Sequence, residues 1–397
     1  MRGLNLFGFG VLFFITASSC HTKDETKLFI WEHQKEIIDI NETYLSKGKN
    51  LIFKTPLIIP IHVLTADSSL ILFDYAGSEI KQFFLDSSER GFYPLNDGPT
   101  RIEGEFFKGV GVDELNQMNL LIETNKAISR YNFLTKEYTK EVVDKYPHCP
   151  SFNSPFHEVF TLFTPKETIT ISQNGSPCYE VANLAKEVTP ENFRNKFFVR
   201  ITSASSSEVN YSLKLPDIPI DNLYERFRLY LTFNKSNNKF YAMLNPLDYL
   251  FEYEFDDSAM ELRLTDYWKL NLKFADLPVD HFLLEEIDPI MVNKSLDYNF
   301  ELNFIDSSDR FVLVSYTPSK DLIFDNPKDA PYSSHYFLAI LDLRDKEIKT
   351  LSLNYDEFQF YGISKDLMWI YDVLASEKSG DTIFKLLKIE DIYNRKG

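Results

Sequence analysis

The chain has 397 residues, of which 44% are hydrophobic and 15% aromatic, and its formal net charge is −17. This is enough apolar material for a large core, and too many residues for most single domains unless the fold is a repeat or a barrel. The excess of acidic residues argues against nucleic acid as a partner, because binding to phosphates requires a basic surface. For the same reason, electrostatic binding to the surface of an anionic membrane is not expected.

The first 19 residues have the features of a lipoprotein signal peptide. Arg2 supplies a positive charge, and residues 4–15 form an apolar run that is too short to span a bilayer permanently. An Ala-Ser-Ser sequence then leads into Cys20, which resembles the lipobox of bacterial lipoproteins, although Ala17 stands where Leu is usual. The resemblance implies that Cys20 is lipidated and that acyl chains hold the protein on a membrane. The alternative is an ordinary signal peptide cleaved nearby, with Cys20 incidental.

Residues 20–26 then form a charged tether ahead of a single domain, residues 27–397. Lys23, Asp24 and Glu25 resemble the surface-export signal of lipoproteins from Bacteroides-type bacteria, and a solvated tether is the simpler interpretation. The expected location is the outer membrane, with the protein either periplasmic or exposed at the cell surface.

The hydrophobic pattern identifies only some of the first strands of the domain. A strand-like run from Leu28 to Ile38 has no hairpin of its own, and the apolar run from Leu51 to Val63 is broken by two prolines. The segments SLILFDY and EIKQFFLD then form a hairpin and, with neighbouring strands, a first four-stranded blade.

The second blade opens on a turn signal at residues 96–101 and continues through GEFFKGVGVD, MNLLIET, AISRYNF and YTKEVVD. The Gly98-Pro99 turn, followed by a strand, a short turn and an Ile-x-x-Tyr-Asn sequence ending at Asn132, resembles an uncharacterised propeller-like lipoprotein family of Bacteroides-type bacteria. Members of that family are similar to TolB-like six-bladed propellers. The resemblance implies an all-β propeller. Over the rest of the mature chain, only the pattern of strands and turns is similar, and no further motif is recognisable.

Residues 147–216 are irregular, with candidate strands at ETITIS, CYEVANL, FFVRITS and VNYSLKLP. One blade with long insertions fits this region better than two short blades.

This region also contains Cys149 and Cys178, the only cysteines after Cys20. In an oxidising compartment this pair is a disulfide candidate, worth roughly 3–4 kcal/mol on the chain-entropy model. Two buried free thiols are the alternative, and neither cysteine has a partner at zinc-like spacing.

The clearest blade runs from Arg226 to Thr265, where four short strands alternate apolar and polar residues between polar turns. Another follows from LNFID to EIKTLSL, and the chain ends with three strands, in FQFYGIS, LMWIYDVLA and TIFKLLKIED. Three strands at the end and an orphan at the start indicate a closed ring, so we expect residues 28–38 to pair beside residues 382–389. The predicted fold is an all-β, six-bladed β-propeller whose last blade is closed by an N-terminal strand, with seven blades if residues 147–216 hide two.

No catalytic, metal-binding or cofactor-binding motif occurs in the sequence. The candidate ligand-binding residues are Arg101, Arg226 and Arg228, which could receive a carboxylate or sulfate at a propeller rim. Ordinary salt bridges to the surplus acids are the alternative. Adjacent acids in a strand point to opposite faces, so Asp256-Asp257 is interpreted as turn chemistry.

The expected function is that of a non-enzymatic binding or scaffolding lipoprotein whose ligand is a glycan, a peptide or a protein. Two alternatives remain open. One is a glycan or peptide hydrolase whose carboxylates converge from several blades into the central pocket. The other is a structural subunit of an envelope complex with no small ligand.

Overall fold

The structure is a computed structural model that describes residues 31–40, 45–55, 62–66, 68–74, 79–92, 107–112, 119–124, 127–132, 135, 137–142, 157–173, 199–203, 209–211, 213, 215–216, 228–245, 248–272, 302–318 and 335–394. Within these residues the strands form six four-stranded antiparallel blades, one of them carrying an added fifth strand. The protein is therefore an all-β propeller, as the sequence predicts.

Each of the first five blades is continuous in the chain. Blade one contains β3 (His62–Ala66), β4 (Ser69–Asp74), β5 (Glu79–Phe84) and β6 (Glu89–Phe92). Blade two contains β7 (Phe107–Val112), β8 (Asn119–Thr124), β9 (Ala127–Asn132) and β10 (Tyr138–Val142). Blade three contains β11 (His157–Phe163), β12 (Thr168–Gln173), β13 (Val199–Ser203) and β14 (Val209–Tyr211). Blade four contains β15 (Arg228–Asn234), β16 (Lys239–Asn245), β17 (Tyr249–Asp256) and β18 (Glu261–Lys269). Blade five contains β19 (Leu302–Ser307), β20 (Phe311–Tyr316), β21 (His335–Asp342) and β22 (Glu347–Asn354).

Blade six takes strands from both ends of the chain. Its inner three strands are β23 (Phe358–Ser364), β24 (Leu367–Asp372) and β25 (Thr382–Lys388), and its outer strand is β2 (Lys49–Phe53). Lys49 pairs with Leu386 and Phe53 with Thr382 in an antiparallel register. An N-terminal strand therefore closes the last blade, as expected.

The strand expected to close the ring, residues 28–38, was the wrong one. Its described part belongs to β1 (Glu32–Asp39), which pairs in parallel with β22 and forms the fifth strand of blade five. The closing strand β2 begins the apolar run from Leu51 to Val63, and it ends before Pro56, so the prolines do not interrupt it.

Blade three and the chain end differ from the prediction in detail, while the expected number of blades is confirmed in the described residues. Blade three begins with β11, a strand that was not predicted, while the CYEVANL segment lies outside the described residues. The described strands of residues 147–216 form one blade, which gives six blades in the described part of the chain. Two short helices end segments that were expected to be strand alone: α1 (Val373–Ser379) and α2 (Ile389–Tyr393).

Helix α1 has clear start and stop signals. The Asp372 carboxylate accepts a hydrogen bond from the backbone N–H of Ala375 at 2.9 Å, and Gly380 ends the helix with a φ of 76°. No helix in the described part of the chain is long and apolar enough to cross a membrane.

The first strands of the six blades form the inner ring. Contacts join β3, β7, β11, β15, β19 and β23 in that order, and β23 contacts β3. Between blades two and three the approach is closest, because β7 and β11 pair directly in parallel. A Cβ at Gly111 would lie 1.7 Å from the backbone oxygen of Val159, so only glycine permits this approach.

The hydrophobic core lies between neighbouring blades rather than at one centre. One cluster joins blades three and four, a second blades five and six, a third blades four and five, and a fourth blades six and one. Trp369 is fully buried in the fourth cluster, and Trp31 and Trp268 are almost fully buried in the third. The tryptophans therefore pack between blades, as is usual for this residue in strands.

The two ends of the propeller carry different connections. Short turns join the first strand of a blade to the second, and the third to the fourth, at one end, which we call the hairpin face. It includes turns 85–88, 164–167, 235–238, 257–260, 308–310, 343–346 and 365–366. The opposite end, which we call the loop face, is where α1 lies and where the described strands on either side of residues 93–106, 143–156, 174–198, 270–301 and 317–334 end or begin.

Candidate functional site

The predicted site residues fall mostly outside the described part of the chain. This holds for Cys20, Cys149, Cys178, Arg101 and Arg226. Arg228 is the first residue of β15, where its backbone pairs with Asn245, next to the loop face. The disulfide, the lipidation and the ligand-binding arginines therefore remain predictions. Asp256 acts as expected in a turn, since its Oδ1 accepts from the backbone N–H groups of Ser258 and Ala259.

The inner ring brings together an acidic site that the sequence analysis missed. Asp306 lies near the end of β19, and its side chain is buried. Its Oδ2 accepts a hydrogen bond from Thr65 Oγ1 of β3 at 2.7 Å and from the backbone N–H of Ile363 of β23 at 2.8 Å. One carboxylate therefore links blades five, six and one.

The backbone around this carboxylate leaves little space. Gly362 has a φ of +130°, and a Cβ built on it would lie 2.4 Å from Thr65 Cγ2 and 3.0 Å from Asp306 Oδ2. A side chain at this position would be strained by the backbone conformation and would also displace the hydrogen-bonded pair. Gly362 thus allows β23 to approach the carboxylate.

The ring continues toward blade four through small polar side chains. Thr232 Oγ1 of β15 lies 3.2 Å from Ser307 Oγ of β19, and Asn234 Nδ2 donates to the backbone oxygen of Ser308 at 2.6 Å. Asp306 Oδ1 accepts from the backbone N–H of Ser307 at 2.7 Å. The hairpin end of the inner ring is consequently held by side-chain hydrogen bonds as well as by packing.

Two effects oppose each other at Asp306. Burial raises the pKa of this carboxyl to about 6, since the charged form loses its hydration, while the hydrogen bonds from Ile363, Thr65 and Ser307 lower the pKa. Burial is the larger effect. Among the described residues, the donors to this carboxyl are backbone N–H groups and hydroxyls. Since these donors lie on the strands β3, β19 and β23, the carboxyl helps to hold the ring closed.

A second carboxyl, that of the half-buried Asp248, lies between β16 and β17 at the loop face. Burial raises its pKa to about 7, against the lowering effect of the backbone N–H groups of Leu272 and Asn271. Its Oδ1 has no hydrogen-bond partner among the described atoms. Asp306 and Asp248 sit near opposite ends of their blades, so they do not form the carboxylate pair that glycoside hydrolysis requires.

An aromatic site lies at the outer edge, where the N-terminal chain meets blades four and five. The rings of Trp31 and Trp268 are 5.8 Å apart at an angle of 75°. Lys346 Nζ lies 4.9 Å from the first ring centroid and 4.0 Å from the second. A cation between two aromatic faces is attracted to both, so Lys346 and the indoles fix the start of β1 on the propeller.

One sequence signal for Asp306 was present. In the segment LNFID the period-two pattern places an acid at the third position of a Leu-x-Phe-x-Asp row, where an apolar residue is expected. Its partners Thr65 and Ile363 are remote in the chain, and no local pattern indicates them. In the part of the chain that the structure describes, no group of His, Cys, Asp or Glu is arranged to hold a metal ion.

Comparison with known proteins supports the fold. No protein-family model matches the chain, and no curated protein matches it by sequence. Among solved structures, a member of the DUF4221 family from Bacteroides vulgatus is 12% identical with a TM-score of 0.53, covering 86% of this chain and 97% of that chain. A calcium-binding protein, regucalcin, from Agrobacterium tumefaciens is 8% identical with a TM-score of 0.42, covering 89% and 96%. A streptogramin B lyase is 12% identical with a TM-score of 0.41, covering 87% and 99%. At these identities the likeness concerns the fold alone, and the chain is an all-β propeller that is similar to a Bacteroides protein.

Proposed function

We propose that this protein is an envelope-anchored lipoprotein, similar to the TolB-like propellers, whose blades form a non-enzymatic binding or scaffolding platform. The lipobox-like sequence ending at Cys20 supports the anchor. The likeness in fold to a Bacteroides protein is consistent with the cellular address that the tether sequence suggests. The ligand is a glycan, a peptide or another protein.

The observation that carries the binding function is the state of Asp306. In a propeller hydrolase, a carboxyl with a raised pKa near the axis would be a strong candidate for the general acid. Here both oxygens of that carboxyl accept hydrogen bonds from the chain itself, from Thr65, Ser307 and Ile363. Because these hydrogen bonds use the carboxyl to hold neighbouring blades together, we interpret Asp306 as a structural group and not as a general acid. This favours binding over hydrolysis.

The anchor is tested by replacing the lipidation site. We expect Cys20→Ala to move the protein from the membrane to the soluble fraction and to abolish labelling by a fatty-acid analogue. Ser19→Ala is the matched control, because it keeps a small residue before the cysteine and should leave both readouts unchanged. Membrane association that persists in the Cys20→Ala protein would exclude the anchor.

Binding is tested on the soluble Cys20→Ala protein with panels of envelope glycans and peptides. We expect saturable binding without conversion of the bound molecule, and unchanged binding in Asp306→Asn if that variant stays folded. Product formation that disappears in Asp306→Asn would establish the hydrolase instead. Specific cross-linking to envelope proteins, with neither binding nor turnover of the panels, would favour the structural subunit.

A further inference from the structure

Two large hydrophobic side chains are exposed together at the loop-face end of blade six. Tyr355 is 54% exposed and belongs to the connection between β22 and β23, and Leu374 is 51% exposed and belongs to α1. The backbone N–H of Val373 donates to the backbone oxygen of Glu357 at 2.9 Å, which holds α1 beside that connection. The two exposed side chains therefore belong to one surface.

The ring of Tyr355 packs on a neighbour that is fixed in place. The rings of Tyr355 and Tyr336 are 6.1 Å apart at an angle of 72°. Tyr336 is buried, and its hydroxyl donates to the backbone oxygen of Phe358 at 3.2 Å and accepts from the backbone N–H of Phe360 at 2.6 Å. Because both bonds tie Tyr336 to β23, the exposed ring of Tyr355 has a rigid support.

An amide lies next to this aromatic ring. Gln359 Nε2 donates to the backbone oxygen of Tyr355 at 3.2 Å, and Gln359 Oε1 accepts from the hydroxyl of Tyr361 at 2.9 Å. An amide has two N–H donors and two acceptor lone pairs, so these two bonds use half of its capacity. The half-buried Gln359 can therefore donate a hydrogen bond to a ligand and accept another from it.

A β-bulge places further tyrosines beside the amide. Tyr361 is the additional residue where the pairing of β23 with β24 shifts register, and bulges of this kind redirect side chains next to functional sites. The rings of Tyr361 and the half-buried Tyr371 are 5.8 Å apart. Burial raises the pKa of Tyr361 well above its usual value, and the nearby Tyr355, Tyr371 and Tyr336 add to this rise. Four phenol groups thus lie in one neighbourhood.

The described charges at this end of blade six disfavour an anionic ligand. Connection 355–357 and helix α1 contain the acids Asp356, Glu357 and Glu377 and a single base, Lys378. Two further pairs of opposite charge at this end are joined in ion pairs: Lys54 with Asp381, and Lys385 with Asp372. An acidic surface repels carboxylates and sulfates, while carboxylate oxygens still accept hydrogen bonds from neutral hydroxyl groups.

The size of the exposed apolar surface also restricts the ligand. A stable protein interface buries about 800 Å² on each partner, which is far more than the exposed parts of two side chains provide. A small ligand site needs only an aromatic or apolar surface and a few well-placed polar groups. Tyrosine supplies both an apolar ring face and a hydroxyl, so a ring-shaped ligand rich in hydroxyls fits this combination.

We propose that the surface formed by Tyr355, Gln359, Tyr371 and Leu374, which we call the tyrosine platform, binds a neutral saccharide. A sugar ring packs its C–H face on Tyr355, and its hydroxyls exchange hydrogen bonds with the amide of Gln359. This assignment rests on the proposed binding function, and it narrows the ligand from a glycan, peptide or protein to an uncharged glycan.

The test is isothermal titration calorimetry of the soluble Cys20→Ala protein with maltohexaose, cellohexaose and mannohexaose, and with hexagalacturonate as the anionic counterpart. We expect saturable binding of at least one neutral saccharide and weaker binding of hexagalacturonate. Tyr355→Ala and Gln359→Leu should each weaken the binding about fivefold or more, because one removes the stacking ring and the other removes the hydrogen bonds. Tyr355→Phe keeps the ring and should bind nearly as well as the parent. Phe163→Ala, which removes an exposed aromatic ring on the hairpin face, is the matched control and should leave the affinity unchanged.

The contrary outcomes separate this site from the proposed function. If none of the three neutral saccharides binds, or if hexagalacturonate binds more tightly than they do, the ligand class is wrong. If a saccharide binds equally well to Tyr355→Ala, the site is wrong, although the binding function stands. Shortened saccharides, detected by mass spectrometry after the titration, would instead refute the non-enzymatic function. Circular dichroism of each variant establishes that the propeller is still folded.

Discussion

Replacing Asp306 by asparagine tests the balance of forces at the ring closure. In the folded protein, burial raises the pKa of this carboxyl from 3.8 to about 6. Because the folded pKa lies above the unfolded one, the group contributes stability that is fully present below about pH 4 and is lost as the pH rises through about 6. The asparagine side chain does not titrate, so its contribution is constant over this window.

The size of the expected change in the free energy of unfolding follows from the pKa shift of Asp306. Two pKa units correspond to about 3 kcal/mol of differential stability, since each unit is worth about 1.4 kcal/mol. The free energy of unfolding of the wild type minus that of Asp306→Asn should therefore fall by about 3 kcal/mol between pH 4 and pH 7. The asparagine amide also loses one acceptor, which changes the offset between the curves but not this slope.

The assay is guanidinium unfolding followed by tryptophan fluorescence at pH 4 and pH 7, on either side of the isoelectric point of about 4.9. Asp309→Asn, an exposed acid in the adjacent turn 308–310, is the matched control for the loss of one negative charge. A difference that stays flat, or that rises with pH, would refute the reasoning. A rise would mean that the donors from Thr65, Ser307 and Ile363 outweigh burial and hold the carboxylate ionised.

Three other changes test separate features. Gly111→Ala should lower the stability by more than about 3 kcal/mol in thermal unfolding, because its Cβ would overlap the backbone oxygen of Val159; an unchanged melting temperature would contradict the close approach of β7 and β11. Trp31→Ala should cost about 3–5 kcal/mol and expose β1 to limited proteolysis, whereas the exposed Glu32→Ala should not. Thiol labelling of the denatured protein should detect Cys149 and Cys178 only after reduction, if an oxidising compartment has joined them; two reactive thiols without reductant would exclude the bridge.

Blade four shows what local pattern can predict. Its strands alternate apolar and polar residues and are joined by short polar turns, so pairing follows from neighbouring residues alone. Leu229 and Leu231, which are two residues apart in the alternating pattern of β15, are both buried in the cluster between blades three and four. The fold class followed from the repetition of such units.

The parts that could not be predicted depend on partners that are distant in the sequence. Nothing near Leu51 indicates that β2 pairs with β25, and the orphan run ahead of it offered an equally plausible closing strand. The role of β1 depends on a pocket built by Trp268 and Lys346. Asp306 acquires its function only when β3, β19 and β23 meet.

The shared construction of blade six constrains the order in which the chain can fold. Thr382 Oγ1 donates to the backbone oxygen of Thr55 across 327 positions in the sequence, which is about as non-local as a contact in this chain can be. Five blades can form as synthesis proceeds, but the sixth must wait until the final strand has been made. Such late, long-range pairing slows folding, and it leaves β2 without its partner for most of synthesis. A chain that must cross a membrane before it folds would benefit from this delay, since the ring cannot close on an incomplete polypeptide.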